Sequence, residues 1–111
     1  MQEGDFALTR IIVLLNLKPG KSRTDYENWA RTVDLPTVNG LASIDKFEVF
    51  EATGLLSGGA APYDYIEILD IADMDMFGKD VATETMKKVS GAFREWADPI
   101  FITTRNLDAT A

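Results

Sequence analysis

The sequence predicts an α+β protein with the ferredoxin-like order βαββαβ and a four-stranded antiparallel sheet. Four apolar segments of strand character alternate with two segments of helical period. The first and third of these strands are the most continuously apolar, as expected for the central strands of this topology. The 111 residues, of which 46% are hydrophobic, match one compact domain of ordinary size. We therefore expect a single domain over residues 1–111, with its core at about 8–107.

The first strand and the first helix are predicted at residues 10–17 and 22–35. The run 10–17 is apolar and β-branched almost without interruption, which is typical of a strand covered on both faces. Residues 22–35 repeat apolar side chains at spacings of three and four, so they predict a helix with Thr24 as its N-cap. Pro36 lacks the backbone N–H that a helix uses, so we expect it to end this helix.

The second and third strands are predicted on either side of a glycine-rich loop. Residues 44–52 alternate charged and apolar side chains, as an edge strand does. The segment 53–60 is expected to be a turn or a flexible lid. The run 61–71 then predicts a buried strand with a carboxylate, Glu67, in its middle. Because burial of an isolated carboxylate raises its pKa or demands a partner, Glu67 is the first candidate for a functional residue.

The last third of the chain predicts the second helical region and the final strand. The stretch from Asp73 to Trp96 keeps one apolar face, and Thr83 is expected to cap the helix again after an irregularity. Asp98-Pro99 ends this region. The run 100–105 predicts the fourth strand.

Two helices cover only one face of such a sheet, so the other face needs a partner. On the assumed side-chain alternation, that face would expose Ile12, Leu14, Leu69 and Phe101. Several hundred Å² of apolar surface, at about 25 cal/mol per Å², represents many kcal/mol. The sequence therefore predicts a homodimer in which two sheets pack face to face and form a dimeric α+β barrel.

Composition excludes several classes of function. The chain has no cysteine and no histidine, so we expect no metal site and no cofactor. Its net charge of −7 argues against binding to nucleic acid or anionic lipid. No segment approaches the roughly 20 apolar residues of a membrane helix, and the acidic segment Met1–Asp5 differs from a signal peptide. These features predict a cytoplasmic protein.

The candidate catalytic residues come from the predicted sheet. If the strands are placed in one assumed phase, four side chains with acid, base or charge-stabilising chemistry share the face opposite the helices: Arg10, Glu48, Tyr65 and Glu67. One interpretation is a set of ion pairs, with Glu67 as a partner of Arg10 or Lys46, that joins two subunits. The other is a carboxylate whose raised pKa suits proton transfer near neutral pH.

A second candidate region lies between the helices and the sheet. Aromatic side chains at helical spacing predict either ordinary core or a cleft that holds a flat ligand. Asp34 ends the predicted first helix, where a negative charge opposes the helix dipole, so it either faces water, caps the next turn or acts elsewhere. The candidate residues for binding a substrate are Tyr26, Trp29, Asp34, Phe93 and Trp96.

Three motifs resemble those of one known family. They are Val33-Asp34-Leu35-Pro36, Ala61-Pro62-Tyr63-Asp64-Tyr65-Ile66-Glu67 and Phe93-Arg94-Glu95-Trp96-Ala97-Asp98-Pro99. Through their order and spacing, over residues 10–107, the chain resembles the RedY/HapK-like proteins. Members of that family are dimeric α+β-barrel domains, and they occur with gene clusters for prodiginine-type pyrrole pigments and other secondary metabolites. The resemblance implies the same fold and setting for this chain. It also implies a small-molecule role, since some relatives are taken to be cyclases or dehydratases of indolic or pyrrolic intermediates.

Three functions are therefore open for this sequence. The first is a metal-independent enzyme of secondary metabolism, such as a cyclase or dehydratase, that uses carboxylate acid–base chemistry on a pyrrolic, indolic or similar intermediate. The second is a binding or carrier protein that holds a small aromatic or heterocyclic ligand without reacting with it. The third is a cofactor-free monooxygenase, an activity of other dimeric α+β-barrel families.

Overall fold

The protein has one four-stranded antiparallel sheet, seen here in a computed structural model that describes residues 9–107. The strands are β1 (Thr9–Leu17), β2 (Ile44–Glu51), β3 (Tyr65–Ile71) and β4 (Ala97–Thr103). Their order in the sheet is β2-β3-β1-β4, so β1 and β3 are central and β2 is an edge strand. This arrangement confirms the predicted ferredoxin-like fold. Residues 1–8 and 108–111, including the acidic N-terminus, lie outside the described residues.

Four α-helical segments cover one face of this sheet. They are α1 (Arg23–Trp29), α2 (Leu35–Asn39), α3 (Met74–Asp80) and α4 (Glu84–Trp96). Thr83 caps α4 as predicted, because its Oγ1 accepts a hydrogen bond from the Met86 N–H at 3.3 Å. The prediction of Thr24 as the first N-cap is wrong. Ser22 takes that place, since its Oγ accepts from the Asp25 N–H at 3.2 Å. No helix within the described residues is long and apolar enough to cross a membrane.

The first helix does not end at Pro36, contrary to the prediction. A π-helical turn over Ala30–Asp34 joins α1 to α2, and the Leu35 N–H donates to the carbonyl of Ala30, five residues earlier. Pro36 lies in the first turn of α2, where its missing N–H costs nothing. The wider turn before it relieves the clash that a proline ring makes with an α-helical carbonyl. The chain therefore remains helical up to Asn39.

The phase that the sequence suggested for β3 is also wrong. Glu67 is paired in register with Val13 of β1 and Val49 of β2, so all three share the face under the helices. Tyr65 and Leu69 lie on this face as well, since side chains alternate along a strand. Hydropathy alone favours the opposite phase, because Ile66 and Ile68 are more apolar than Tyr65 and Glu67.

The other face of the sheet is not covered by any described residue. We call it the open face; its apolar members are Ile12, Leu14, Phe50, Ile66, Ile68, Ile100 and Ile102. Phe50, Ile100 and Ile102 are more than 40% exposed. Leu69 and Phe101, predicted for this face, lie under the helices instead. Phe101 is in register with Val13, and Leu69 with Ile11.

Candidate active site

A cavity of about 150 Å³ lies between the helices and the covered face of the sheet. Its size is comparable to that of an apolar cavity that holds one benzene ring. Most of its wall is aromatic or aliphatic, and two carboxyl groups interrupt it. The lining residues are Asp34, Val38, Phe47, Glu67, Leu69, Phe77, Val81, Met86, Val89, Ser90, Phe93 and Phe101.

Glu67 lies in the floor of this cavity, at the middle of the central strand β3. Its side chain is buried, and Oε2 accepts a hydrogen bond of 3.3 Å from the hydroxyl of Tyr26. Burial and, to a smaller extent, the nearby charge of Asp34 raise the pKa of Glu67 to about 8, although the Tyr26 hydrogen bond opposes the rise. Glu67 therefore carries its proton at neutral pH.

Asp34 faces Glu67 across the cavity, from the end of the π-helical turn. Only 5% of its surface is exposed, and burial raises its pKa to about 7. Among the described residues, none donates a hydrogen bond to its carboxyl group. Its backbone begins α2, and the side chain does not cap that helix. Two of the alternatives that the sequence left open for Asp34, a side chain that faces water and a side chain that caps the next turn, are therefore wrong.

The π-helical turn explains how Asp34 reaches the cavity. One extra residue in a helical turn rotates the following side chains relative to a regular α-helix, and such turns are common at functional sites. Asn39, at the far end of α2, fixes this segment against the sheet. Its side chain donates to the carbonyl of Phe47 at 3.0 Å and accepts from the Phe47 N–H at 2.9 Å.

The predicted aromatic residues form one cluster beside the cavity. Tyr26 is fully buried, and both burial and the neighbouring Glu67 raise the pKa of Tyr26 far above its usual range. Phe93 lines the cavity and stacks on Trp29, with ring centroids 6.4 Å apart. Trp96 contacts Tyr26 edge to face at 6.0 Å. Trp29 and Trp96 therefore support the walls from behind and do not line the cavity.

Tyr65 lies on the covered face but points to a different site. Its hydroxyl donates to Oε2 of Glu27 at 2.6 Å, and its ring packs on Tyr26 with centroids 4.8 Å apart. Burial and the hydrogen bond to Glu27 raise the pKa of Tyr65 above its usual range. Tyr65 lines a second, smaller cavity of about 110 Å³ together with Glu27 and Arg31. It does not meet Glu67 in the larger cavity.

Arg10 and Glu48 lie on the open face, so the predicted grouping with Glu67 is wrong. Arg10 pairs with Asp70, with Nε 2.7 Å from Oδ1, and this contact holds the pKa of Asp70 below its usual range. Glu48 pairs with Lys46 at 3.4 Å. Neither Arg10 nor Lys46 compensates the charge of Glu67, so the interpretation of Glu67 as their ion-pair partner is wrong as well.

None of the described residues that line the cavity is basic. Phe47, Leu69 and Phe101 line it from the strands, and Phe77 and Phe93 from α3 and α4. Within residues 9–107, no cluster of three acidic, histidine or cysteine side chains is placed to hold a metal ion. The arrangement therefore places two carboxyl groups with raised pKa values in one apolar, ring-sized space.

Comparison with known proteins places the chain in a family. Residues 9–107 match the family described as REDY-like protein HapK. The chain belongs to this HapK family. The crystal structure of HapK from Hahella chejuensis superposes with a TM-score of 0.75 at 27% identity, covering 91% of this chain and 94% of that one. No curated protein sequence matches the chain at a significant level.

Two more distant structures share the fold of this HapK-family chain. SnoaB, a cofactor-independent oxygenase from Streptomyces nogalater, has a TM-score of 0.74 at 9% identity, covering 93% of this chain and 96% of that one. A dimeric ferredoxin-like protein of unknown function from Thermobifida fusca has a TM-score of 0.67 at 15% identity, covering 88% and 91%. At such identities the likeness concerns the fold alone.

The two carboxyl residues of the cavity were predicted from the sequence, but Ser90 and most of the apolar wall were not. The apolar face of the second helical region contributes Phe77, Val81, Met86 and Val89, and its periodicity indicated only a core face. A gap in packing at that face leaves no signal in the periodicity.

Proposed function

We propose that this HapK-family protein is a metal-independent acid–base enzyme, a cyclase or dehydratase, that binds a small ring-containing molecule in the larger cavity. One observation carries the proposal: the carboxyl groups of Asp34 and Glu67 share an apolar cavity to which the described residues contribute no basic side chain. Raised pKa values of about 7 and about 8 give one group as a base and the other as an acid near neutral pH.

In a dehydration, the two groups act in complementary directions. The ionised carboxylate of Asp34 removes a proton from the carbon next to the one that bears a hydroxyl. As the new carbon–carbon double bond forms, the carbon–oxygen bond breaks, and Glu67 gives its proton to the leaving oxygen to form water. Proton exchange between the two carboxyl groups then restores the starting state. Exclusion of water by the aromatic wall strengthens these electrostatic interactions.

The substrate class that fits is a pyrrolic, indolic or similar intermediate of secondary metabolism. Two features support this assignment. The cavity holds about one ring between Phe47 and Phe93, and the resemblance to RedY/HapK-like proteins implies intermediates of this kind. A flat heterocycle with a ring N–H also donates a hydrogen bond, which Asp34 is placed to accept.

We further propose that two copies of the chain associate through the open face as a homodimer. Apolar side chains cover the middle of this face, including Ile12, Leu14 and Ile68. The ion pairs Arg10–Asp70 and Lys46–Glu48 lie together toward one end of it. An apolar centre with a charged rim is the usual composition of a protein interface. The Thermobifida fusca structure of the same fold is also described as dimeric.

The test is turnover of a panel of pyrrole and indole alcohols, followed by ultraviolet absorbance and by mass loss of one water. Wild type is expected to form the dehydrated product. Glu67→Gln and Asp34→Asn each remove one proton-transfer group and should lower kcat about 10²-fold or more. Glu95→Gln, on the exposed surface of α4, is the matched control and should retain wild-type kcat.

The outcomes distinguish the three functions. Undiminished turnover in both variants contradicts the proposed roles of Asp34 and Glu67. Binding without turnover of any compound would instead indicate the carrier function. Oxygen consumption that accompanies turnover would indicate a cofactor-free monooxygenase, which the likeness to SnoaB supports through the fold only.

A further inference from the structure

The carboxyl groups of Asp34 and Glu67 form a buried pair that no basic side chain of the described cavity wall neutralises. Asp34 and Glu67 are both at least 95% buried, and the pKa of Glu67 is raised partly by the charge of Asp34. The covered surfaces of β2, β4, α3 and α4 contribute no ionisable side chain to the described cavity wall. Among the described residues, Tyr26 of α1 is the one further ionisable group in contact with the pair, and its hydroxyl donates a hydrogen bond to Glu67.

The position of Asp34 in particular indicates a ligand that contacts its carboxyl group. Its carboxyl group lines the cavity, is 5% exposed, and receives no hydrogen bond from the described part of the chain. Buried carboxyl groups in folded proteins are normally hydrogen-bonded or paired with a charge. Within the cavity, only water or a bound ligand can supply that partner.

We propose that the cavity selects ligands in which a positively charged nitrogen is attached to a single ring, and that binding of the cation expels a proton from the carboxyl pair. The ring occupies the aromatic part of the cavity, and the cationic nitrogen lies between Asp34 and Glu67. This inference rests on the cavity of the proposed function and adds the charge of the group that it recognises.

The physical reason is the linkage between cation binding and ionisation. A positive charge beside two carboxyl groups favours their ionised forms, so both pKa values fall when the ligand enters. By reciprocity, the pair binds the cation more tightly as the pH rises through its own titration. At low pH both groups are neutral, and a cation gains nothing over a neutral ligand of the same shape.

An organic cation fits this site better than a metal ion. Two carboxyl groups are too few for a dedicated metal site, and the described chain places no third acidic, histidine or cysteine group with them. Ring faces such as those of Phe47 and Phe93 also attract organic cations through their negative π surfaces. The apolar wall would be poorly used by a hydrated metal ion.

The experiment compares benzylamine with benzyl alcohol, which has the same ring and shape but no charge. Isothermal titration calorimetry of the intact wild-type protein gives both affinities at about pH 5 and about pH 8. At about pH 8, the titration is repeated in phosphate and in Tris. These buffers differ in ionisation enthalpy, so the comparison gives the number of protons released. We expect benzylamine to bind about tenfold or more tightly than the alcohol at the higher pH, a normal size for coupling. The preference should vanish at the lower pH.

Variants test whether the carboxyl pair causes the preference. Asp34→Asn and Glu67→Gln should each reduce both the preference and the proton release, whereas Glu95→Gln should change neither. Circular dichroism establishes that each variant is folded, and the pH dependence of wild type stands independently of them.

The remaining outcomes contradict either the inference alone or the inference together with the proposed function. Equal affinity for both ligands at pH 8, with no proton released, overturns the inference while the proposed function stands. A preference that survives in both folded variants overturns it as well. If neither ligand binds at either pH, the ring-binding cavity of the proposed function fails together with the inference.

Discussion

At the scale of single residues, Glu67 and Asp34 link the stability of the protein to pH. A carboxyl group whose folded pKa is raised binds more protons in the folded state than in the unfolded state. Its contribution is fully present below its ordinary pKa, and stability then falls as the pH rises through the folded value. For Glu67 this window runs from about 4.5 to about 8.

The first prediction concerns Glu67→Gln, which keeps the shape of the side chain but cannot ionise. We expect its free energy of unfolding to equal that of wild type within about 1 kcal/mol near pH 5. Near pH 8 it should exceed that of wild type by a few kcal/mol, at about 1.4 kcal/mol for each pKa unit. Urea unfolding at both pH values measures this difference. A variant destabilised at both would indicate that Glu67 has a cationic partner after all.

The second prediction concerns Tyr26→Phe, which removes the hydroxyl that donates to Glu67. This hydrogen bond favours the ionised form, so its loss should raise the pKa of Glu67 further. The pH profile of ligand affinity should move to higher pH, and stability should fall by about 1 kcal/mol. An unchanged profile would show that Tyr26 only fills space.

Glu67 could be recognised from sequence because a charge in an apolar strand is costly wherever the strand packs. Asp34 could be named as a candidate as well, but its pairing with Glu67 could not be predicted. Asp34 is 33 residues earlier in the chain, and it reaches the cavity through a π-helical turn that no apolar period indicates. The phase of β3 was equally hidden, since Tyr65 and Glu67 are less apolar than the isoleucines that face the open side.

At the scale of elements, we attribute the inward direction of the Asp34 side chain to the π-helical turn and to Pro36, which follows it. The proline ring is incompatible with a regular α-helical carbonyl four residues earlier. The turn over Ala30–Asp34 is the local solution, and it directs the Asp34 side chain inward.

The third prediction is that Pro36→Ala permits a regular α-helix and moves Asp34 out of the cavity. The pKa of Asp34 should fall from about 7 toward its ordinary 3.8, and ligand affinity should drop. A carboxyl NMR titration follows Asp34 directly. Pro19→Ala, at an exposed loop position, is a matched control that should leave the titration unchanged. An unchanged Asp34 in the Pro36 variant would show that packing alone sets the turn.

Most elements were predictable because their signals are local. Thr83 caps α4 through a bond to a residue three positions later, and strand runs of β-branched residues need no distant information. The wrong N-cap prediction for the first helix also concerns a choice between neighbouring residues. Ser22 and Thr24 are both good caps, and only the observed hydrogen bond to Asp25 decides between them.

At the scale of the whole molecule, the sheet separates a face covered by helices from an open face. The helices cover the face that holds Glu67, and the open face carries the apolar patch that we assign to a second copy. The number and order of strands followed from sequence. For the region between the helices and the sheet, the sequence left ordinary core and a ligand cleft open, because a cavity depends on how the helices pack on the sheet.

The fourth prediction tests the homodimer. Wild type should sediment as a dimer at micromolar concentration. Ile68→Asp places a charge at the middle of the open face and should produce a folded monomer, because burial of an unpaired charge opposes association. Met74→Asp, on the exposed side of α3, is the control and should remain dimeric. A wild-type protein that is monomeric under these conditions would remove the open face as an interface.

The most direct test of the account is the titration of the carboxyl pair itself. Carbon-13 NMR of the side-chain carboxyl groups gives the midpoints for Asp34 and Glu67, with Asp34→Asn and Glu67→Gln for assignment. We expect midpoints of about 7 for Asp34 and about 8 for Glu67, with the charge of Asp34 raising the midpoint of Glu67. Midpoints near the ordinary values of 3.8 and 4.5 would contradict the account, because both groups would then be ionised together at neutral pH.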